Sequence, residues 1–111
     1  MMTHKISLYI PSTVDGNKPA SRAMVQKWVS AAKNTFATLF GGFTAIPVQG
    51  GYISPEKGLI EENITIVYAF TDADGLKHKA LVKALAKRIA KAMKQESVSV
   101  EVDNAIEFIA A

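Results

Sequence analysis

A chain of 111 residues, 49 % of them hydrophobic, has the size and apolar content of one domain, and folding should bury roughly two-thirds of its unfolded surface. The absence of cysteine excludes disulfides, thiolate zinc sites and thiol catalysis. A net charge of +3 is weak grounds for a nucleic-acid partner, no run approaches the ~18 apolar residues of a membrane span, and Met1–Ile10 lacks the apolar stretch of a signal peptide, so a cytoplasmic protein is expected.

The first alternating run is Lys5 to Ile10, with Ile6, Leu8 and Ile10 on one side and Lys5, Ser7 and Tyr9 on the other. Pro11 ends it. Ser12 to Lys18 is polar, carries the turn signal Asp15-Gly16-Asn17, and is expected to be a mobile surface loop. A helix is expected from about Pro19 to Phe40, capped by Asn17 or Lys18, with Ser21 as the rival cap. Its apolar stripe is Val25, Trp28, Val29, Ala32, Phe36, Leu39 and Phe40, and Gly41-Gly42 supplies a left-handed exit.

Phe43 to Tyr52 reads as an irregular strand. Pro47 removes a ladder donor and argues for a sheet edge, and Gly50-Gly51 for a bulge or a close backbone approach. After the turn residues Ser54 to Gly58, a third strand runs to Phe70, apolar on both faces and therefore central. Asp72 to Gly75 turns the chain into a second helix, about Leu76 to Lys94, with Val82, Leu85, Ala86, Ile89 and Met93 as its buried stripe. Ser97 to Val102 alternates as a fourth strand, and Asp103-Asn104 leads into a short fifth, Ala105 to Ile109. The hydrophobic periods thus read two, 3.6, two, two, 3.6, two. That order is β-α-β-β-α-β, an α+β ferredoxin-like domain over residues 1–111, its antiparallel sheet covered on one face by two helices.

The motifs are sparse. Seven of the thirteen Lys and Arg residues lie between Lys77 and Lys94 with no acid among them. Lys83, Lys87, Lys91 and Lys94 read as the solvated back of an amphipathic helix, with anion binding as the alternative. On the uncovered sheet face, Ser7, Tyr9, Thr65, Val67 and Ser99 are too mild for a fully wet surface, which points to self-association as a homodimer or other homo-oligomer. RNA recognition by the sheet needs stacking aromatics on central strands, and only Tyr9 is expected there. Around the central hairpin, Thr44, Gln49, Tyr52, Glu61, Glu62 and Asn63 form a polar cluster that reads as a wet strand end, since Glu61 and Glu62 point to opposite faces of a regular strand, with a carboxylate that transfers protons as the alternative. His4 and His78 have no metal-ligand spacing, and no glycine loop for a phosphate is present. No cofactor is expected.

Gly42-Phe43-Thr44, Gly51-Tyr52, Glu62 before an apolar strand, and Gln95-Glu96-Ser97-Val98 after the second helix resemble a bacterial family of unknown function, and small hypothetical proteins of bacteria and mobile elements. The resemblance spans about Phe36 to Phe108. Where family members typically carry tryptophan this chain has Tyr52, and it lacks the export signal that many of them show. The resemblance implies the ferredoxin-like fold and no activity. A polar network of Tyr52, Glu62, Gln95 and Glu96 at the junction of the second helix and fourth strand is expected either to satisfy backbone groups or to bind a ligand. The first functional expectation is a non-enzymatic interaction module that self-associates. The alternatives are a small enzyme or ligand-binding protein with its site at that network, and a weak binder of nucleic acid or a phosphate-rich ligand through the lysine face.

Overall fold

The computed structural model describes residues 1–111. In chain order the elements are β1 (His4–Pro11), β2 (Thr13–Val14), β3 (Lys18–Pro19), α1 (Arg22–Phe40), β4 (Thr44–Ser54), β5 (Gly58–Thr71), a 3-10 turn (Gly75–His78), α2 (Lys79–Ala92), β6 (Ser97–Val102) and β7 (Ala105–Ala110). Five strands form one antiparallel sheet in the order β4-β5-β1-β6-β7, and β2 pairs with β3 separately. The expected edge position of the strand containing Pro47 and the central position of the next are both found.

The core lies between the sheet and the two helices. Ile6, Leu8, Ile10, Val98 and Val100 meet Trp28, Ala32 and Phe36 of α1 and Val82, Leu85 and Ile89 of α2 in one buried cluster. Ser21 caps α1, its side chain accepting from the Met24 N–H at 3.1 Å, and Gly41 ends the helix at φ 82°. The expectation of a helix from Pro19 is corrected: Pro19 pairs with Thr13 in the small hairpin, so the helix starts three residues later. The expected loop from Ser12 to Lys18 is a structured hairpin tied to the body. Asp15 N donates to Met93 O at 3.2 Å and Ala20 N to Ser12 O at 2.9 Å. Gly50-Gly51 is not bulged, since the pairing runs unbroken through it, but it is a close approach: a Cβ on Gly50 would lie 2.8 Å from Ile64 Cδ1.

The face assignment of β5 is reversed. Leu8 pairs with Val67 and Ile6 with Ala69, so Thr65, Val67 and Ala69 lie on the helix side. Val67 is fully buried in the core cluster. Thr65 and Val67 therefore do not belong to the open face; Ser7, Tyr9 and Ser99 point towards it, but Ser7 is only 1 % exposed and so offers no contact surface, contrary to expectation. The places of Thr65 and Val67 are taken by Ile64, Ile66, Tyr68 and Phe70, beside Ile46 on β4 and Ile106 and Phe108 on β7. The open face is more apolar and more aromatic than expected. Lys5 Nζ sits 4.4 Å from the Tyr68 ring centroid, and the Tyr68 and Phe70 rings meet edge to face at 6.0 Å. No helix of the chain is long and apolar enough to cross a membrane.

Candidate functional site

β1 ends at Pro11, opposite Ile64, while β4 and β5 continue past it as a two-stranded ribbon to Ser54 and Gly58. The ribbon and the α2–β6 junction therefore face each other across the place where β1 stops. The β2–β3 hairpin closes the gap. The result is a cleft of about 600 Å³ lined by Thr13, Asp15, Gly16, Asn17, Tyr52, Ile60, Glu61, Glu62, Lys94, Gln95, Glu96 and Ser97. This is a usual size for a small-molecule site. All four residues expected to form the polar network line it.

Local backbone geometry places each group. Tyr52 pairs with Ile60 and Gly50 with Glu62, so Tyr52 and Glu62 share one face of the ribbon on a diagonal. Glu61 projects from the other face, as strand alternation requires. At the end of α2, Gln95 N donates to Ala90 O at 2.9 Å and Lys94 takes a left-handed φ of 50°, which redirects the chain into β6. Gln95 Nε2 then donates to the Thr13 carbonyl at 2.7 Å and reaches Thr13 Oγ1 at 3.1 Å. Thr13 Oγ1 in turn donates to Glu62 Oε2 at 3.0 Å. Asp15 and Gly16, both at positive φ, form the turn above.

Thr13 is the cleft residue that the sequence alone did not single out. It bridges Gln95 and Glu62, which do not bond directly. Tyr52 and Glu96 line the cleft without joining that chain of bonds, and Tyr52 is 53 % exposed. A smaller recess of about 90 Å³ continues from Glu62, Gln95 and Ser97 to Tyr9 and Ser99. There the Tyr9 hydroxyl donates to Glu101 at 3.4 Å; burial first, then the Glu101 carboxylate, raises its pKa above the usual 10.0.

The cleft is acidic. Asp15, Glu61, Glu62 and Glu96 line it beside Lys94, with Asp15 also ion-paired to Lys18 at 3.3 Å and Glu61 on the opposite face of the ribbon from Glu62. The expected lysine stripe is divided accordingly: Lys94 belongs to the cleft, Lys83 is ion-paired to Glu107 at 2.8 Å, and Lys87 and Lys91 are exposed. No group of three or more His, Asp or Glu residues is arranged to hold a metal ion.

No protein-family model matches the chain, and no curated protein sequence matches it. Among solved structures it is similar to a phage SAM lyase in complex with S-methyl-5'-thioadenosine, at TM-score 0.66 and 20 % identity over 97 % of this chain and 89 % of that one. The same lyase in its apo state matches at TM-score 0.65, with the same identity and coverage. CutA from Synechococcus elongatus PCC7942 matches at TM-score 0.49 and 17 % identity, over 96 % and 80 % of the two chains. At these identities the likeness to the lyase is one of fold.

Proposed function

We propose that this chain is a small enzyme of ferredoxin-like architecture whose acidic cleft binds the sulfonium compound S-adenosylmethionine (SAM) and cleaves it to S-methyl-5'-thioadenosine. What supports the reading is the sign of the cleft, where Glu62 and Glu96 outnumber the lining ammonium of Lys94 while Asp15 is balanced by Lys18, in a fold shared with a phage SAM lyase. The sulfonium is a fixed cation and the ligand's ammonium is a second, so carboxylates at the wall favour this ligand over its neutral thioether relatives.

The chemistry needs little from the protein. The ligand's own carboxylate oxygen attacks the carbon that bears sulfur. The carbon–sulfur electron pair moves to sulfur, leaving a neutral thioether and a four-carbon lactone that keeps its ammonium. Atoms and charges balance without water, base or cofactor. The proton-transfer role expected for a carboxylate is not required. Glu62, oriented by Thr13, instead holds the ligand's positive charge while the chain folds back on itself, which is catalysis by positioning.

The test is chromatography of SAM incubated with the protein. Methylthioadenosine should appear well above the spontaneous rate, and S-adenosylhomocysteine, which lacks the charged sulfur, should stay intact. Glu62→Gln should lower the rate by roughly 100-fold, within the range that one well-placed polar group supplies. Release no faster than in buffer, or equal turnover by Glu62→Gln, would end the proposal.

A second reading is compatible with the first: the protein self-associates through its open sheet face. Ile46 and Phe70, beside half-buried Ile64, Ile66 and Tyr68, form one exposed apolar patch on β4 and β5, and Ile106 and Phe108 a second on β7, with Ser7, Tyr9, Ser99 and Glu101 of β1 and β6 between them. Two exposed apolar patches on one sheet face favour an interaction site there.

A further inference from the structure

The two helices carry charge of one sign. α1 holds Arg22, Lys27 and Lys33, and α2 holds Lys79, Lys83, Lys87, Arg88 and Lys91, with no Asp or Glu on either. The rest of the chain has five Lys and Arg residues against ten Asp and Glu. The net charge of +3 therefore conceals two oppositely charged halves. In the helix layer only Lys83 forms an ion pair.

The layer is also organised at its seam. Lys27 Nζ lies 5.1 Å and Arg88 Cζ 5.7 Å from the centroid of the same Trp28 ring. Trp28 is buried, so one fixed indole holds a cation from each helix. Like charges so placed, with no carboxylate on either helix, repel each other, and folding alone does not call for that arrangement. Beside them runs a groove of about 410 Å³ that offers Asn34, Thr35, Thr38 and Arg88 as hydrogen-bonding groups. Arg, Lys, Thr and Asn side chains are the usual partners of nucleic-acid phosphates.

We propose that the helix layer docks the phosphate backbone of duplex nucleic acid, with Lys27 and Arg88 at the seam and Lys87 and Lys91 alongside. The contact is electrostatic and independent of base sequence. An acidic amphipathic helix fits less well, because such a helix needs apolar anchor pockets a turn apart. Of the groove's leucines, Leu85 is buried and Leu39 half-buried, which leaves Leu81 alone. The site is separate from the acidic cleft, and packing of the open sheet face leaves it exposed.

The experiment is fluorescence anisotropy of a labelled duplex of about 20 base pairs, titrated with the full chain between about 50 and 200 mM salt. Four neutralised phosphates give a log–log slope of about −3.6, at about −0.9 each. Lys87→Gln with Lys91→Gln, two exposed positions outside the core, should flatten the slope by about 1.8 and leave the melting temperature and SAM cleavage unchanged. Lys27→Gln with Arg88→Gln should flatten it similarly. Because that pair also packs on Trp28, the first pair carries the test by itself. Binding weaker than about 10⁻⁴ M at the lowest salt, a slope unmoved by the first pair, or tighter binding of a polyglutamate peptide than of the duplex would overturn the proposal.

Discussion

At the scale of residues, Thr13 holds together the two walls of the cleft, one hydroxyl linking Gln95 of the α2–β6 junction to Glu62 of the ribbon. Its neighbours were legible. Tyr52, Glu62, Gln95 and Glu96 stand beside periodic elements, so their place at one end of the sheet follows from strand order. Thr13 stands in a polar stretch with no period, and only the folded chain shows where that stretch returns. Asp103 is another such residue. It sits in the β6–β7 turn at φ 56°, accepts from Lys5 N at 3.0 Å and pairs with His4 Nδ1 at 3.0 Å. The His4 hydrogen bond first, then the Lys5 N–H, lower its pKa below the usual 3.8. A carboxyl whose folded pKa is depressed contributes stability above its unfolded pKa and loses it as pH falls through the folded one. Asp103→Asn, tolerated at a positive φ, should therefore melt lower than the parent at neutral pH. The gap should close as pH drops below about 4; thermal melts across that range would show it, and a gap independent of pH would refute it.

At the scale of elements, β5 is where the pattern misled. Both faces of this strand are apolar, because one packs under the helices and the other lies on an apolar open face, so alternation alone cannot say which is which. A one-residue change of register exchanges every side chain between faces. The assignment is fixed instead by pairing, Leu8 with Val67 and Tyr9 with Ile66. It follows that Val67→Ala should cost about 2 kcal/mol in denaturant unfolding, from lost burial plus a cavity. Ile66→Ala, half-buried on the open face, should cost clearly less; a reversed order would restore the original assignment. The late start of α1 has a similar cause. Proline is acceptable in a first helical turn, but Pro19 is equally acceptable at the end of a short strand, and Ser21 offers the stronger cap. The second helix instead begins with a 3-10 turn, because Asp72 Oδ1 accepts from Gly75 N at 2.8 Å and a Cβ there would collide with Thr71 Oγ1.

At the scale of the whole molecule, the order of periods announced two helices on one face of an antiparallel sheet, and that arrangement is found. The distribution of charge and the composition of the open face were not legible, since both depend on which residues become neighbours. If the open face pairs copies of the chain, sedimentation at micromolar concentration should show a species heavier than 12.0 kDa. Phe108→Lys, at a position 66 % exposed, should return it to a folded monomer; a parent that sediments only as the monomer would rule the interface out. The ribbon beyond Pro11 has one more consequence. Residues 49–54 and 58–63 pair only with each other, and an isolated two-stranded ribbon is marginally stable in water. Its amides should therefore exchange with solvent by local opening, faster than those of β1, in a hydrogen-exchange measurement. The Tyr52 wall of the cleft is thus the soft one and the Glu96 wall, rooted on α2 and β6, the hard one. A ligand lying between them would register chiefly as slowed exchange in the ribbon, so the free energy spent on ordering that wall is subtracted from its affinity.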